Sequence, residues 1–427
     1  MKKVVCLVLG VLMVMSLLSV VPASGAVTVR FWAVASPLRD NARRILWKNF
    51  EEKNPGIKVD FEGIPFGAFN EKILTAAAAG TLPDACRYAF APRFASKGLL
   101  MPLERFIEGP DGIDTSLYMD GLFPNAAIVW DDVVYALPFA WAMAPGYFYN
   151  ADILREEGLM PPTNWAELAT AVEKMTQKEA DGTVTRDGMV MMSVLTDGFL
   201  LLNGALVTDA IGQSATKADY SAPEIVEALE FLVGLVSRGY LRMSGAWGTE
   251  SKFFIEGRTG ILATVGSNCY GWRPQIHPKF NWGTLMPPMN EGKEQVIPAE
   301  YGDCGFMFAS TKNPDEAWKV LKAHCGREGS ALIWTQKFGS LPPFKDILDP
   351  ATDNPYYYLY QMEAHLIEIV QAALSGKSVE GFLGNWHPAG DEIWGIEDRE
   401  YGLLYAGQQT VAETVANLDE KINALGF

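Results

Sequence analysis

The side-chain types that catalyse reactions occur in this sequence, but not in the spacings that catalytic sites need. Ser267 lies in Val-Gly-Ser-Asn, which lacks the second glycine of a nucleophile elbow. The tripeptide Gly-Lys-Ser at 376–378 lacks the upstream glycine of a phosphate-binding loop. His365 and Glu368 are one helical turn apart, but no second histidine completes a zinc-binding helix. The sequence therefore predicts a protein that is not an enzyme and that holds no metal and no cofactor.

One acidic pair could imitate the two carboxylates of a glycosidase. Asp131 and Asp132 are adjacent, and the apolar residues Val133 and Val134 follow directly. Such a pair is typical of a solvated turn beside a strand, whereas glycoside hydrolysis needs two carboxylates placed across one bond. We therefore predict a turn, and a secreted glycosidase remains the least supported alternative.

Aromatic side chains are the more informative group, since the chain has 12 Trp, 15 Tyr and 22 Phe. Six of them lie close to the end of a predicted strand: Trp32, Tyr88, Trp141, Tyr270, Trp272 and Tyr301. In open parallel sheets, ligands bind beyond the carboxyl ends of the strands. A flat ring there can stack on the apolar face of a sugar, and nearby Asp, Asn or Arg side chains can hydrogen-bond its hydroxyls. Each ring could equally be a packing residue, so the pattern favours a polyol site without deciding which rings line it.

The elements that would position these rings alternate between strands and helices. The spacing predicts a strand from Val27, a helix near 40–53, a strand over 57–61, a helix over 69–79 and a strand over 85–88. This order indicates a parallel sheet with right-handed crossovers. Further strands are predicted over 133–137, 147–149, 188–194, 259–265, 282–286 and 305–309.

Helices dominate the rest of the chain. Asn164 and Ser221 are each followed three residues later by a glutamate, which is the spacing of a capping box at a helix N-terminus. Beyond a Pro-rich break near 341–343, the sequence predicts mostly helix, over 356–375 and 411–425.

Length and charge exclude several classes of protein. The chain has 427 residues, of which 49% are hydrophobic. A single core rarely extends past about 250–300 residues, so we expect at least two lobes. The formal net charge of −16 repels phosphate backbones and anionic lipid, which argues against nucleic acid and membrane surfaces as partners.

The first 26 residues predict an exported protein. Lys2 and Lys3 precede an uncharged apolar run over 4–21, and Pro-Ala-Ser-Gly-Ala follows at 22–26. This pattern is typical of a secretory signal peptide, which leads to a periplasmic or extracellular location. An uncleaved anchor is the alternative, because an apolar run of this length could just span a bilayer.

Four cysteines lie beyond this segment: Cys86, Cys269, Cys304 and Cys325. Their spacing matches no zinc site. Apolar surroundings favour buried free thiols over a disulfide, but the sequence cannot choose among the possible pairings.

Six segments also occur in the order found in one protein family. They read FEEKNPGIKV at 50–59, AGTLPD at 79–84, KGLLMPL at 97–103, VYALP at 134–138, PPTNWAEL at 161–168 and FIEGRTG at 254–260. Together they resemble family 1 of the extracellular solute-binding proteins of ABC importers, most of which are sugar receptors similar to maltose-binding protein. The resemblance covers nearly the whole chain after residue 26.

The resemblance implies a fold and a mode of action. The fold is α/β, of the periplasmic-binding-protein-like type II: two α/β lobes joined by hinge crossings, with a ligand cleft between them. It implies an N-terminal lobe of residues 27–138 and 304–342, and a C-terminal lobe of residues 139–303 and 343–427. The protein would capture a sugar or oligosaccharide without chemistry and deliver it to ABC transporter permease subunits in the inner membrane. We expect it to be a monomer.

The resemblance also suggests ligand-binding positions. Combined with the strand-end aromatics, it gives this set: Trp32, Arg39, Tyr88, Trp141, Asp197, Asn268, Tyr270, Trp272, Tyr301, Asp303 and Trp386. Phe-Ala-Pro at 90–92 replaces polar residues of maltose receptors, so the ligand need not be maltose-like. A receptor of the same fold for a polyamine, a phosphodiester or a metal chelate is the alternative. An anionic ligand would use Arg39 and Arg273, and a cationic one Asp197, Asp303 and Glu300.

Overall fold

Two lobes, each built on one β-sheet, make up the computed structural model of the chain. It describes residues 25–245, 249–266, 275–276, 279–300, 303–335, 341–348 and 367–427. The strands are β1 (Val27–Val34), β2 (Ile57–Ile64), β3 (Ala85–Ala89), β4 (Val129–Trp130), β5 (Val133–Val134), β6 (Ala136–Pro138), β7 (Ala142–Met143), β8 (Gly146–Asn150), β9 (Gln177–Lys178), β10 (Val184–Met192), β11 (Leu241–Ser244), β12 (Thr259–Thr264), β13 (Trp282–Leu285), β14 (Ile297–Glu300), β15 (Asp303–Met307) and β16 (Ser378–Glu380).

Helices connect and cover these strands. They are α1 (Pro37–Lys53), α2 (Phe66–Ala79), α3 (Ala91–Ala95), α4 (Glu104–Ile107), α5 (Ala151–Glu156), α6 (Trp165–Met175), α7 (Thr196–Leu200), α8 (Pro223–Ser237), α9 (Glu250–Ile255), α10 (Pro314–Cys325), α11 (Arg327–Thr335), α12 (Lys345–Leu348), α13 (Ile367–Ala372), α14 (Leu383–Trp386), α15 (Gly390–Tyr405) and α16 (Val411–Asn423). Short 3-10 and π turns link several of them.

The sheet of the first lobe has the strand order β2-β1-β3-β15-β6. β1 is parallel to β2 and β3, which confirms the predicted strand–helix–strand–helix–strand start of the chain. β15 is antiparallel to both β3 and β6. Alternate residues of β1 face opposite layers, as a period of two requires: Phe31 packs with Trp47 of α1, and Trp32 lies in the cluster that contains Phe69 of α2.

The sheet of the second lobe has the order β11-β10-β12-β8-β13, and β9 pairs with β10. β10 is parallel to β11 and β12, whereas β8 is antiparallel to β12 and β13. Met191 and Ala263 face the core that α6, α8 and the C-terminal helices α14–α16 cover. Val190 and Leu262 face the opposite layer.

A small three-stranded sheet, ordered β16-β14-β7, lies where the chain passes between the lobes. β6, β7 and β8 follow one another from the first sheet through this one into the second, and β13, β14 and β15 make the reverse passage. Helix α7 packs tightly on the first passage, because a Cβ atom at Gly198 would clash with the carbonyl oxygen of Ala144. Only a glycine therefore fits there.

The local predictions have mixed outcomes. Asp131 and Asp132 are exposed, have φ of 48° and 59°, and form the turn of the β4–β5 hairpin, as predicted. Asn164 caps α6, since its side chain accepts a hydrogen bond from the Glu167 amide at 2.9 Å. Glu167 itself reaches back to Thr163, not to Asn164.

The predicted cap at Ser221 is wrong. Helix α8 begins at Pro223, with Ala222 at the N-cap position and no side-chain cap. The Ser221 hydroxyl instead donates to the Asp419 carboxylate of α16. Pro223 fixes the first turn of the helix. The Ser221 hydroxyl is bonded to the distant carboxylate and so does not cap the helix.

Three cysteines, Cys86, Cys304 and Cys325, are buried free thiols, as the apolar context favours. Cys269 lies outside the described residues. Among the helices of the described residues, none is both long enough and apolar enough to cross a bilayer.

Candidate functional site

A cavity of about 240 Å³ lies at the carboxyl ends of the parallel strands of the second lobe. Val194 and Leu195 follow β10, and Val265 follows β12; all three line the cavity. Phe382, α14 and α15 form the opposite wall. This is the edge of an open α/β sheet at which ligands bind.

Helix α15 turns one face to the cavity. Trp394, Glu397 and Tyr401 are separated by three and four residues, the spacing that puts side chains on the same side of a helix, and all three line the cavity. The Trp394 ring also meets Phe90 of the first lobe edge to face, with centroids 4.7 Å apart. Trp394 therefore lies in the cavity wall at the boundary between the lobes.

Asn385 supplies a hydrogen-bonding group to this apolar cavity. Its side chain is 0% exposed, and its Nδ2 donates to Glu380 Oε1 at 3.0 Å, which fixes the orientation of the amide. Its Oδ1 has no hydrogen-bond partner among the residues that the structure describes. Leaving a buried acceptor unpaired is costly, so such an atom marks the point at which a ligand hydroxyl or amine would donate.

A buried network of hydrogen bonds between carboxyl and hydroxyl groups joins α15 to α7. Tyr401 donates to Asp197 Oδ1 at 2.5 Å, and Tyr220 donates to Glu397 Oε1 at 2.8 Å. Thr196 and Tyr405 are joined by a further hydrogen bond of 3.0 Å. Burial raises the pKa of Asp197 to about 6, even though the tyrosines favour its charged form. Burial and the charge of Asp197 together raise the pKa of Glu397 well above its usual value.

These raised pKa values predict that replacing Glu397 by glutamine makes stability less dependent on pH. The pKa of Asp197 rises from 3.8 to about 6 on folding, so the folded state keeps protons that the unfolded state releases. The resulting stability is complete below about pH 4 and is lost as pH rises through about 6. Glu397 extends the loss to higher pH. Glu397→Gln resembles the protonated acid, so its melting temperature should fall less steeply than that of the wild type between about pH 5 and 8.

Thermal unfolding followed by circular dichroism over this pH range is the measurement. Glu413→Gln is the matched control, because Glu413 is an exposed first-turn residue of α16 with a lowered pKa. Parallel melting curves for wild type and Glu397→Gln would contradict the assignment of a raised pKa to Glu397.

The first lobe meets α15 through a buried arginine. Arg93 of α3 is 3% exposed and pairs with Asp391, the second residue of α15; Asn70 of α2 also donates to Asp391. The Arg93 guanidinium lies 4.3 Å from the centroid of Phe90. Phe90 has a φ of 69°, a left-handed conformation that costs free energy for a bulky residue. This strained turn places its ring between Arg93 and Trp394.

The structure separates the predicted ligand residues into groups. Tyr88 and Trp32 are buried in the first lobe, where Tyr88 stacks on Phe69 at 4.3 Å. Trp141 is buried beside the hinge, and its Nε1 donates to Ser378 Oγ at 2.8 Å.

The other described members of the set lie elsewhere. Asp197 lies behind the cavity wall in the network with Glu397. Trp386, 5% exposed, packs in the core of the second lobe. Arg39 lies in the first turn of α1, and Asp303 is the first residue of β15 and pairs with Arg87 of β3. Asn268, Tyr270, Trp272 and Tyr301 fall outside the described residues. A role in ligand binding stays a prediction for all of them.

Sequence reasoning did not single out Trp394 or Glu397. Their spacing with Tyr401 on one helix face was the available signal, but nothing in the sequence distinguishes a cavity wall from a packed core. The predicted set instead contains Trp386, which directly follows Asn385 of the cavity lining.

Three arginines of the first lobe, from β3 and α1, lie near one another. Arg87 of β3 pairs with Asp303, and Arg43 donates to the carbonyl oxygen of Val34, the last residue of β1, at 3.0 Å. Burial lowers the pKa of Arg87, and the positive charges of Arg39 and Arg43 lower it further, so the three cations lie within electrostatic range of one another. Within the ranges that the structure covers, no group of three or more His, Cys, Asp or Glu side chains could hold a metal ion.

Comparison with known proteins identifies the family to which this chain belongs. Residues 46–358 match the family model of the bacterial extracellular solute-binding proteins, and the chain belongs to this family. A putative binding protein of Brucella abortus (strain 2308) is 27% identical over 308 residues, which cover 70% of this chain and 72% of that protein.

Solved structures share the fold. UgpB from Mycobacterium tuberculosis, in complex with glycerophosphocholine, has a TM-score of 0.77 at 18% identity, covering 94% of this chain and 98% of that one. An ABC substrate-binding protein from Listeria monocytogenes, in complex with cycloalternan, has a TM-score of 0.76 at 20% identity, covering 94% and 99%. The predicted family and the predicted two-lobed α/β fold are confirmed. The family consists of binding proteins rather than enzymes.

Proposed function

We propose that this protein is the substrate-binding subunit of an ABC importer that captures a sugar or oligosaccharide between its lobes. The observation that carries the proposal is the cavity at the carboxyl ends of β10 and β12. Its described lining belongs to the second lobe and includes Asn385, whose Oδ1 has no partner, and Trp394, whose ring contacts Phe90 of the first lobe. An aromatic ring and a buried acceptor are the two kinds of contact that a sugar ring needs. The ABC substrate-binding protein from Listeria monocytogenes that was solved in complex with cycloalternan shares this fold, which supports a sugar as the ligand.

Capture would proceed without chemistry. A ligand held by both lobes binds the closed arrangement better than the open one and shifts the population toward it. A permease in the inner membrane would then recognise the closed form. We also propose the lobe boundaries given above, a monomeric receptor, and a periplasmic or extracellular location for it after export.

Isothermal titration against a panel of mono- and oligosaccharides tests the proposal. The expected result is one-to-one binding of at least one sugar, which chromatography then recovers unaltered. Failure of every sugar to bind would contradict it, and release of a cleaved product would favour the glycosidase alternative.

A phosphodiester is the second candidate ligand, because Arg39 and Arg43 of α1 and Arg87 of β3 lie within electrostatic range of one another in the first lobe. UgpB from Mycobacterium tuberculosis, which shares the fold, was solved with glycerophosphocholine. Titration with glycerophosphocholine at low and high salt distinguishes the two ligands. Binding that weakens steeply with salt, and weakens further in Arg39→Gln, would support the phosphodiester.

A further inference from the structure

The size of the cavity limits how much of a ligand it can hold. Pockets that enclose a whole drug-sized ligand have volumes of roughly 300–1,000 Å³. The volume here is about 240 Å³. One six-membered ring is therefore a better match than a chain of two or more sugars, and any remaining rings would lie outside this cavity.

The chemistry of the described lining is mostly apolar. Val194, Leu195, Val265, Phe382 and Trp394 form its walls. Asp398, which is exposed, is also among the lining residues.

The other polar lining groups already have partners within the protein. Glu397 accepts from Tyr220, and the Tyr401 hydroxyl donates to Asp197. The Asn385 amide nitrogen donates to Glu380. Of the buried side-chain atoms in the described wall, the Asn385 Oδ1 is the one that has no hydrogen-bond partner within the described protein.

A fully hydroxylated sugar ring fits such a lining poorly. Each ring hydroxyl that enters an apolar cavity without a partner weakens binding, because it loses its hydrogen bonds to water and gains none. A methyl or methylene group in the same place instead strengthens binding, because its apolar surface leaves water. The lining therefore favours a ring edge that carries a methyl or methylene group over one that carries a hydroxyl.

We propose that the ring bound in this cavity is a deoxygenated sugar, which directs a methyl or methylene edge to Val265 and Phe382 and donates one hydroxyl to Asn385 Oδ1. This inference assumes the proposed function, since it names the class of sugar that the same site would take. It also gives Asn385 a definite role as the residue that selects the ring's orientation.

Matched pairs of sugars that differ by one oxygen atom test the inference on the wild-type protein. The pairs are L-rhamnose with L-mannose, L-fucose with L-galactose, and 6-deoxy-D-glucose with D-glucose. In at least one pair, the deoxy member should bind tenfold or more tightly than its hydroxylated partner, as measured by isothermal titration. Equal or tighter binding of the hydroxylated member in every pair that binds would overturn the deoxy-sugar inference and leave the sugar receptor intact. Binding of no sugar at all would overturn both.

A variant tests the role of Asn385 separately. Asn385→Leu keeps the approximate volume but removes the acceptor, so it should weaken binding of the preferred deoxy sugar at least tenfold. Asn41→Leu makes the same substitution at an exposed position of α1 outside the cavity lining; it is the control and should leave affinity unchanged. Thermal unfolding of the unliganded variants shows whether each is folded. Unchanged affinity in folded Asn385→Leu would overturn the proposed hydrogen bond.

Discussion

Replacing Trp394 by alanine should nearly abolish ligand binding while leaving the unliganded protein folded. The ring is only partly buried, lines the cavity and meets Phe90 of the first lobe, so it would be covered on closure around a ligand. Truncating an aromatic anchor of this kind costs about 2–4 kcal/mol of binding free energy, which corresponds to a roughly 30- to 1,000-fold weaker affinity. Isothermal titration with the best sugar of the panel measures the loss.

Trp386 provides the matched control, because it lies eight residues earlier and was the tryptophan that the sequence predicted for the ligand. It packs in the core of the second lobe with Phe382 and Tyr401. Trp386→Ala should therefore lower the free energy of unfolding by about 3–5 kcal/mol, as expected for a large aromatic residue removed from a core. If Trp386→Ala stayed fully stable and lost binding while Trp394→Ala bound normally, the assignment of the cavity would be wrong.

Trp386 and Trp394 show which features of the fold and site could be predicted from the sequence and which could not. Strand alternation and helix period predicted the early βαβ units, because local periodicity decides which residues face a core. The motif order gave the family. Trp386 and Trp394, however, lie eight residues apart in one C-terminal segment, and no local pattern tells them apart. Only the tertiary packing of α14 and α15 decides which ring lies in the core of the second lobe and which one meets the first lobe.

Contacts between segments that are distant in the chain could not be predicted from the sequence either. The sequence predicted a local cap for Ser221, but its hydroxyl bonds to Asp419, 198 residues away. It predicted Asp197 as a ligand residue, which stays a prediction, but it could not predict the buried network that this carboxyl group shares with Glu397 and Tyr401 of α15. Buried polar networks form between elements that meet only in the folded chain, so no local pattern encodes them.

The second large effect is expected at the contact between the lobes, in Asp391→Ala. Arg93 is buried in the first lobe and pairs with Asp391 at the start of α15. Removing one partner of a buried ion pair leaves the other charge desolvated and alone, at a cost of about 3–5 kcal/mol when both groups are fully buried. Asp391 is 40% exposed, which reduces that cost. If the lobes separated, water would reach the Arg93 guanidinium, and much of the remaining free-energy cost of leaving it unpaired would be avoided.

Asp391→Ala should therefore favour the open arrangement of the unliganded protein. Because apparent affinity scales with the fraction of molecules competent to close, ligand should bind at least about tenfold more weakly, although Asp391 is not among the residues that line the cavity. Small-angle X-ray scattering should show a larger radius of gyration without ligand and a return to the wild-type value at saturating ligand. Glu392→Ala removes the same charge from the exposed neighbouring position and should change neither quantity. An unchanged radius and affinity in Asp391→Ala would mean that the Arg93–Asp391 pair does not hold the lobes together, and closure would then depend on the ligand alone.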